Sequence, residues 1–188
     1  MAARFPRLAK VAPAWAPGAA AVQTRTTHRP SNVPGRGPKF PDGRIDYHTS
    51  NIAPVVTVFV ECNGKILLLK RSDKVRAYRG KWNVVAGYLD DLKPIREKVL
   101  EELREEINMR EEDIKNIYFG EVETIADKEI GKTWVGQPAL VRLGKKPEIK
   151  LDFEHTDYKW ITPNELSNYS FVCGLDKTLS RIRKQFKF

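Results

Sequence analysis

Apolar residues form two dense runs after residue 54. Val55 to Cys62 is rich in β-branched and aromatic residues, and Lys65 to Arg71 is a second apolar run. Between them lies Asn63-Gly64, which is the strongest two-residue signal for a β-hairpin. The pattern therefore predicts that a buried hairpin opens the folded part of the chain.

The apolar spacing then changes to the period of a helix. Ile95, Val99, Leu103 and Ile107 recur every four residues. This period predicts an amphipathic helix whose apolar face, extended by Leu92 and Leu100, is buried. The helix should end at Asn108, because asparagine is, after glycine, the residue that best tolerates the left-handed conformation of a helix stop.

The remaining elements suggest a sheet covered by helices. Strands are predicted over 117–125, 132–143 and 158–161, and a last helix from about Leu175. Between them, Thr162-Pro163-Asn164-Glu165 has the composition of a helix start. Because strands and helices do not simply alternate, we predict an α/β fold with a mixed β-sheet.

The charge of the chain is unevenly distributed. The net charge is +9, but residues 1 to 41 contain seven basic residues and no acid, so the other 147 residues carry only +2. The same stretch holds seven of the twelve prolines. We therefore predict a basic tail rich in Pro, Ala and Arg over residues 1–45 and a folded domain over residues 46–188.

Three interpretations of the tail are open. Its arginines, alanines and hydroxyl residues without acids are typical of a transit peptide, although Pro6, Pro13 and Pro17 would interrupt a long amphipathic helix. It could instead be a disordered arm that binds nucleic acid or a scaffold, or a flexible leader. A transit peptide would mean the mitochondrion or another organelle matrix, and otherwise we expect a cytoplasmic protein.

The cysteines and the hydropathy of the chain bear on its redox compartment and on membrane insertion. Cys62 and Cys173 are far apart and fit neither a disulfide framework nor a metal-ligand spacing, which predicts a reducing compartment. No run is long and apolar enough to cross a membrane, so we expect no membrane partner.

Three acids crowd one side of the predicted helix. Glu102, Glu105 and Glu106 fall within an arc of about 100° and border the apolar face. Repulsion between like charges at this spacing weakens a helix. A divalent cation between the carboxylates would turn the repulsion into attraction, since Mg²⁺ is usually held by carboxylates together with substrate phosphates. The acids are therefore either a metal site or a solvated acidic edge.

The segment from Gly87 to Met109 resembles the Nudix box, the loop-helix signature G-x5-E-x7-R-E-U-x-E-E-x-G-U, in which U is a bulky aliphatic residue. The positions in register are Gly87, Glu102, Leu103, Glu105, Glu106 and Met109. Three positions differ, since Lys93 replaces Glu, Glu101 replaces Arg and Asn108 replaces Gly. Lys93 and Glu101 exchange an acid and a base, which predicts a structural ion pair of reversed polarity.

The resemblance implies both a fold and an activity. The fold would be a Nudix-type α/β/α sandwich with a mixed sheet. The activity would be metal-dependent hydrolysis of a nucleoside diphosphate linked to another moiety, with cleavage of a pyrophosphate bond by metal-activated water. Its cofactor would be Mg²⁺ or Mn²⁺.

The resemblance also implies roles for individual residues. Glu105 and Glu106 would be direct metal ligands, Glu102 would bind or orient metal and water, and the backbone carbonyl of Ala86 or Gly87 would complete the metal site. Glu154, six residues before Trp160, is a candidate for the water-activating base or a further ligand, with a surface loop residue as the alternative. Asp152 and Asp157 compete for that role, and the neighbouring His155 is expected to be solvated.

Basic and aromatic residues near the box are candidates for contacts to substrate. Arg71 and Arg79 are candidates for binding substrate phosphates, near Lys74, Arg76 and Lys81, although a solvated basic loop is an equal alternative. Four aromatic residues are candidates for stacking on a base or for core positions: Tyr88, Tyr118, Phe119 and Trp134.

A different class of function also fits the sequence. The chain could be a non-catalytic Nudix-fold subunit of a ribonucleoprotein or organellar assembly. RNA would then bind the basic tail and the basic end of the last helix, because clustered cations bind phosphate regardless of sequence. The four cations of that helix are Arg181, Arg183, Lys184 and Lys187. The intact carboxylates argue against this alternative, and a homodimer is left open.

Overall fold

A computed structural model describes residues 38–188, which form a mixed eight-stranded sheet with a helix on each side. The elements are β1 (Ile52–Cys62), β2 (Lys65–Arg71), β3 (Trp82–Asn83), β4 (Val85–Tyr88), α1 (Ile95–Ile107), β5 (Ile114–Phe119), β6 (Glu123–Asp127), β7 (Lys132–Leu143), β8 (His155–Ile161) and α2 (Leu175–Phe186). Short 3-10 helices lie at Glu111–Asp113 and Pro163–Asn168. This arrangement confirms the predicted α/β/α sandwich.

Strand β1 organises the sheet. It pairs in parallel with β7 and antiparallel with β2 and β4. Strand β7 also pairs antiparallel with β5 and β6, and β2 does so with β3 and β8. The sheet is therefore mixed, as the sequence predicted.

Alternate residues of the central strands face the two helices, because successive side chains of a strand point to opposite sides. On one side Val58, Val60 and Leu67 pack with α1, and on the other Phe59 and Leu68 pack with α2. Burial on both faces explains why the first two strands read as continuous apolar runs.

The predicted hairpin is confirmed, whereas one predicted strand is divided. Asn63 and Gly64 both have positive φ, and Cys62 pairs with Lys65 across the turn. The strand predicted over 117–125 is instead β5 and β6, separated by residues 120–122. A side chain at Gly120 would come within 2.8 Å of Ile182 on α2, so close helix packing coincides with the break.

Helix α1 ends where the sequence predicted. Asn108 has φ 53° and ψ 33°, and its N–H donates to the carbonyl of Arg104. Val99, Leu103 and Ile107 are fully buried, but Leu92 is fully exposed and Ile95 is 37% exposed. The predicted apolar face was wrong at these two positions. Leu92 precedes the helix, so its side chain does not follow the helical period, and Ile95 is the first residue of the helix.

The C-terminal part contains the predicted helix start and last helix. The N–H of Thr162 donates to the Glu165 carboxylate at 2.7 Å, although the helix that follows is 3-10. On α2, Arg181 donates to Glu123, and Arg183 donates to Asn164. Two of the four cations predicted to contact RNA therefore have partners within the domain, and RNA binding stays a prediction.

Residues 38–50 pack beside the end of β4. The N–H of Ile45 donates to the carbonyl of Asp90 at 2.8 Å, and the Arg44 guanidinium lies 3.5 Å from the Asp90 carboxylate. Tyr47 is buried and stacks on Tyr88. The proposed boundary at residue 45 lies within this segment, and most of the predicted tail lies outside the described residues. Within residues 38–188, no helix has the length and apolar content needed to cross a membrane.

Candidate active site

Strand β4 brings Gly87, the glycine of the box, against Glu102, the first of the three crowded acids on α1. A side chain at Gly87 would place its Cβ 1.8 Å from Oε1 of Glu102. Only glycine leaves room for the Glu102 carboxylate at this point. The close approach of β4 and α1 therefore requires a glycine at position 87.

The three crowded acids of α1, Glu102, Glu105 and Glu106, differ in exposure. Glu102 and Glu106 are 9% and 4% exposed, whereas Glu105 is exposed. Oε1 of Glu106 accepts a hydrogen bond from the N–H of Ala86 at 3.2 Å, and Oε2 is buried without a hydrogen-bond partner. Burial raises the pKa of Glu106 well above its usual value, and burial, opposed by Lys98, raises the pKa of Glu102 to about 7.

Lys98 is a site residue that the sequence analysis missed. Its side chain is almost fully buried, and Nζ lies 3.1 Å from Oε1 of Glu102. Nζ also lies 3.5 Å from a carboxylate oxygen of Asp90 and 3.5 Å from one of Glu101. Burial lowers the pKa of Lys98, but its acidic neighbours outweigh burial and raise it, so the side chain is an ammonium ion. The i, i+3 and i, i+4 spacing to Glu101 and Glu102 could have revealed it.

The reversed ion pair is formed in the structure. Nζ of Lys93 lies 2.8 and 2.9 Å from the two carboxylate oxygens of Glu101, and 3.2 Å from Asp91. The hydrogen bond from Lys93 lowers the pKa of Glu101. Glu101 thus contacts both Lys93 and Lys98.

His155, expected to be solvated, is buried beside Glu106. Its Nδ1 lies 3.1 Å from Oδ1 of Asp152, and its Nε2 lies 3.6 Å from Oε2 of Glu106. Burial lowers the pKa of His155, and Asp152 opposes that shift. Because this position depends on pairing between β2 and β8, which sets Arg71 opposite His155, no local sequence signal could have found it.

The candidate base, Glu154, lines the same cavity as the three acids of α1. It is half-buried, and burial raises its pKa while Arg71 opposes the shift. Its competitors do not line this cavity, since Asp152 is hydrogen-bonded to His155 and Asp157 is exposed on β8.

The cavity has a volume of about 530 Å³ and combines acids with cations. Arg71, Lys74 and Arg76 line it together with the acids. Arg79, the other predicted phosphate contact, is not among the lining residues, because it lies on an exposed loop and donates to the carbonyl of Val75 at 2.7 Å. The structure therefore brings one of the two predicted arginines to the cavity.

Aromatic rings form another part of the cavity lining. Tyr88 and Trp134 have ring centroids 6.2 Å apart, and Trp134 and Tyr78 follow at 6.3 Å. The Trp134 indole N–H donates to the Tyr78 oxygen at 3.0 Å, and the Tyr78 hydroxyl donates to Asp127. Lys132, which does not line the cavity, lies over the rings of Tyr88 and Trp134. These contacts hold the rings in place.

The other two aromatic candidates are not in the cavity lining. Tyr118 packs on Phe186 with ring centroids 5.3 Å apart, and Phe119 is 39% exposed on β5. Of the four residues considered for base stacking, the structure brings only Tyr88 and Trp134 to the site.

The acids fit a hard divalent cation in their chemistry. All of their donor atoms are oxygen, one buried oxygen of Glu106 has no hydrogen-bond partner, and Gly87 leaves space for the Glu102 carboxylate. In their present side-chain positions, no three or more His, Cys, Asp or Glu residues of residues 38–188 are grouped so that they could hold an ion together. In this arrangement Glu102 contacts Lys98, and Glu106 contacts His155.

Comparison with known proteins identifies the domain. The NUDIX domain family matches residues 51–182. Nucleoside triphosphatase NudI of Escherichia coli K12 is 25% identical over 130 residues, which are 66% of this chain and 92% of NudI.

Two solved structures share the fold. The MutT protein from Methanosarcina mazei Go1 has a TM-score of 0.58 and 20% identity, over 74% of this chain and 99% of that chain. A bifunctional NMN adenylyltransferase/ADP ribose pyrophosphatase from Francisella tularensis, complexed with AMP and a Mn ion, has a TM-score of 0.56 and 20% identity, over 71% of this chain and 41% of that chain. Because the NUDIX domain match covers most of the chain and includes the turn, the helix and the strands that form the cavity, the chain belongs to the NUDIX family of hydrolases.

Proposed function

We propose that this Nudix hydrolase cleaves the pyrophosphate bond of a nucleoside diphosphate linked to another moiety, with Mg²⁺ or Mn²⁺ as cofactor. The observation that carries the proposal is that acids, cations and aromatic rings line one cavity. These are the groups needed for a metal, for phosphates and for a flat ring, respectively.

The carboxylates would hold the cofactor. Glu105 and Glu106 are the proposed ligands, and Glu102 orients the ion and water. When bound, the ion supplies neutralisation of phosphate charge and a lower pKa for water. Glu106 is held in place by the N–H of Ala86, and Glu102 by Lys98.

Proton transfer is assigned to Glu154. Its half-buried carboxyl group has a raised pKa, which favours the acceptance of a proton from water. The charge of Arg71 acts to lower the pKa of that carboxyl group. Arg71 also lines the same cavity, so its guanidinium can bind a phosphate oxygen nearby. Arg76 and Lys74 add positive charge along the same wall.

The nucleoside is assigned to the aromatic part of the lining. Tyr88 and Trp134 line the same cavity as the acids, and their ring centroids lie 6.2 Å apart, so together they offer one aromatic surface to a base. NudI, by its name, acts on nucleoside triphosphates, and the Francisella tularensis protein was crystallised with AMP and a Mn ion. Both support a nucleotide as the substrate of this chain.

The test is a panel of nucleoside diphosphate derivatives and nucleoside triphosphates, assayed for phosphate-containing products with and without Mg²⁺ or Mn²⁺. Glu106→Gln should lower kcat/KM by about 100-fold or more, since it removes a proposed metal ligand. Glu97→Gln is the matched control, because Glu97 is exposed in the first turn of the same helix.

A binding measurement accompanies the assay. An ion that binds only the folded state adds RT ln(1 + [L]/Kd) to stability, so Tm should rise with Mn²⁺. The rise should vanish in the Glu105→Gln/Glu106→Gln double variant. A protein with neither metal-dependent hydrolysis nor a Tm response at millimolar ion would contradict the proposal and favour the non-catalytic subunit.

A further inference from the structure

We propose that Lys98 is a built-in counter-cation of the acidic site, and that its ammonium group limits how tightly the acids bind a divalent ion. The inference rests on the proposed function, since it concerns the same metal-binding acids. Its test reads ion binding directly, so that it does not depend on knowing the substrate.

The first observation is the position of the ammonium group. Nζ of Lys98 lies 3.1 Å from Glu102, and 3.5 Å from both Asp90 and Glu101. Three carboxylates thus surround one cation. Asp90 comes from the loop after β4 and the other two from α1, so the ammonium group connects the turn to the helix.

The second observation is burial. Lys98 is 4% exposed, Asp90 is 6% exposed and Glu102 is 9% exposed. Water therefore screens these charges much less than it would at the surface. A unit positive charge in direct contact with Glu102 opposes the arrival of a second, divalent cation at the same carboxylate.

The third observation is that Glu101 pairs with two lysines at once. Lys93 and Glu101 form an exposed ion pair, and the second contact of Glu101 is to Lys98. Glu101 is therefore shared by two lysines, one exposed and one buried. Among the cations of residues 38–188, Lys98 apart, the acids at 90, 101 and 102 have only Lys93 and the partly exposed Arg44 as ion-pair partners.

The contact lengths assign Lys98 a positioning role. Its shortest contact is to Glu102, the acid that Gly87 makes room for. The ammonium group therefore fixes Glu102 in the absence of an ion and reduces the negative charge available to one. Lys98 does not itself bind substrate in this proposal.

The experiment is a Mn²⁺ titration followed by electron paramagnetic resonance, on the full chain without substrate. Lys98→Met keeps an unbranched side chain, one atom shorter, and removes its charge. Mn²⁺ should bind this variant about tenfold or more tightly than the parent, since a unit charge close to a divalent ion in a poorly screened site is removed.

Lys93→Met is the matched control. It removes the same charge from a lysine that also contacts Glu101, but Lys93 is exposed and does not contact Glu102. Mn²⁺ affinity should change by less than about twofold, since solvent and salt screen an exposed charge. Adding Glu102→Gln to Lys98→Met should return the affinity towards the parental value.

A Lys98→Met variant that folds but binds Mn²⁺ no more tightly than the parent would overturn the proposal, because a purely structural lysine would alter stability alone. If it does not fold, Lys98→Gln provides the same test while keeping a hydrogen-bond donor beside Glu102. Should neither fold without an ion, Mn²⁺ is expected to restore folding by taking over the missing charge, and failure to do so at millimolar Mn²⁺ would also overturn it.

The outcomes separate this inference from the proposed function. A parent protein that binds no Mn²⁺ would count against the proposed metal-dependent hydrolysis. A parent that binds Mn²⁺ with an affinity indifferent to Lys98→Met would count against the role of Lys98 only.

Discussion

At the scale of single residues, the three departures from the Nudix box are accommodated by the surrounding side chains. Lys93 and Glu101 meet with their charges exchanged, and Asn108 adopts the left-handed conformation at the end of the helix. Coulomb attraction does not depend on which partner is the acid, although lysine lacks the bidentate geometry of arginine. The reversed pair can therefore connect the loop to α1.

A charge-reversal cycle tests that connection. Glu101→Arg should lower the free energy of unfolding and the activity, because it sets a new cation beside Lys93 and Lys98. Adding Lys93→Glu should restore part of both, since Lys98 still faces the new arginine. Urea denaturation of the four proteins gives the coupling, and additive effects would show that the two residues act independently.

A second prediction at this scale concerns Gly87. Gly87→Ala should displace the Glu102 carboxylate and weaken Mn²⁺ binding by about tenfold or more, because its Cβ would lie 1.8 Å from Oε1. Gly144→Ala is the matched control, since nothing lies within 4 Å of a Cβ there and its φ is ordinary. Equal Mn²⁺ affinities for both variants would contradict the close approach.

At the scale of elements, α1 is both a core helix and the carrier of the acids. Val99, Leu103 and Ile107 fix its rotation against the sheet, and this rotation carries Glu102 and Glu106 to the edge of the core. The cost of burying these acids is offset by Lys98 and by the N–H of Ala86. The helix must also end before the segment at Glu111–Asp113 can lead into β5.

The end of α1 can be tested separately from its chemistry. Asn108→Ala should lower the free energy of unfolding by roughly 0.5–1 kcal/mol, because alanine is less stable in the left-handed conformation, whereas Asn108→Gly should be neutral or slightly stabilising. Chemical denaturation measures both. A destabilising effect of glycine equal to that of alanine would mean that the asparagine side chain, and not its backbone, is needed.

At the scale of the whole molecule, some residues that the composition assigned to the tail pack against the domain. Ile45 and Arg44 contact Asp90, which in turn contacts Lys98 beside the acids. The loop over residues 38–50 is thus coupled to the candidate site. The role of residues 1–37 and the location of the protein in the cell stay predictions.

Two truncations test this boundary. Deletion of residues 1–37 should leave Tm and metal-dependent hydrolysis unchanged, because that stretch shows almost no apolar periodicity. Deletion of residues 1–46 should lower both, since it removes Arg44 and the Ile45 hydrogen bond. Thermal denaturation and hydrolysis assays decide between them, and equal Tm values for the two truncated proteins would show that residues 38–46 contribute nothing to stability.

The sequence by itself determined what depends on local spacing. The hairpin at Asn63-Gly64, the stop of α1, and the crowding of Glu102, Glu105 and Glu106 all follow from the periods of strands and helices and from the conformations that asparagine and glycine tolerate. The NUDIX domain match confirms the family that the box indicated.

Only the tertiary structure decided what depends on residues distant in the chain. His155 is buried because β8 pairs with β2, and Trp134 reaches Tyr88 because β7 lies beside β1. Leu92 is exposed although it extends an apolar pattern, since the loop and not the helical period orients it. The cavity is made where these separate segments converge, and the spacing of residues within any one of them carries no information about that convergence.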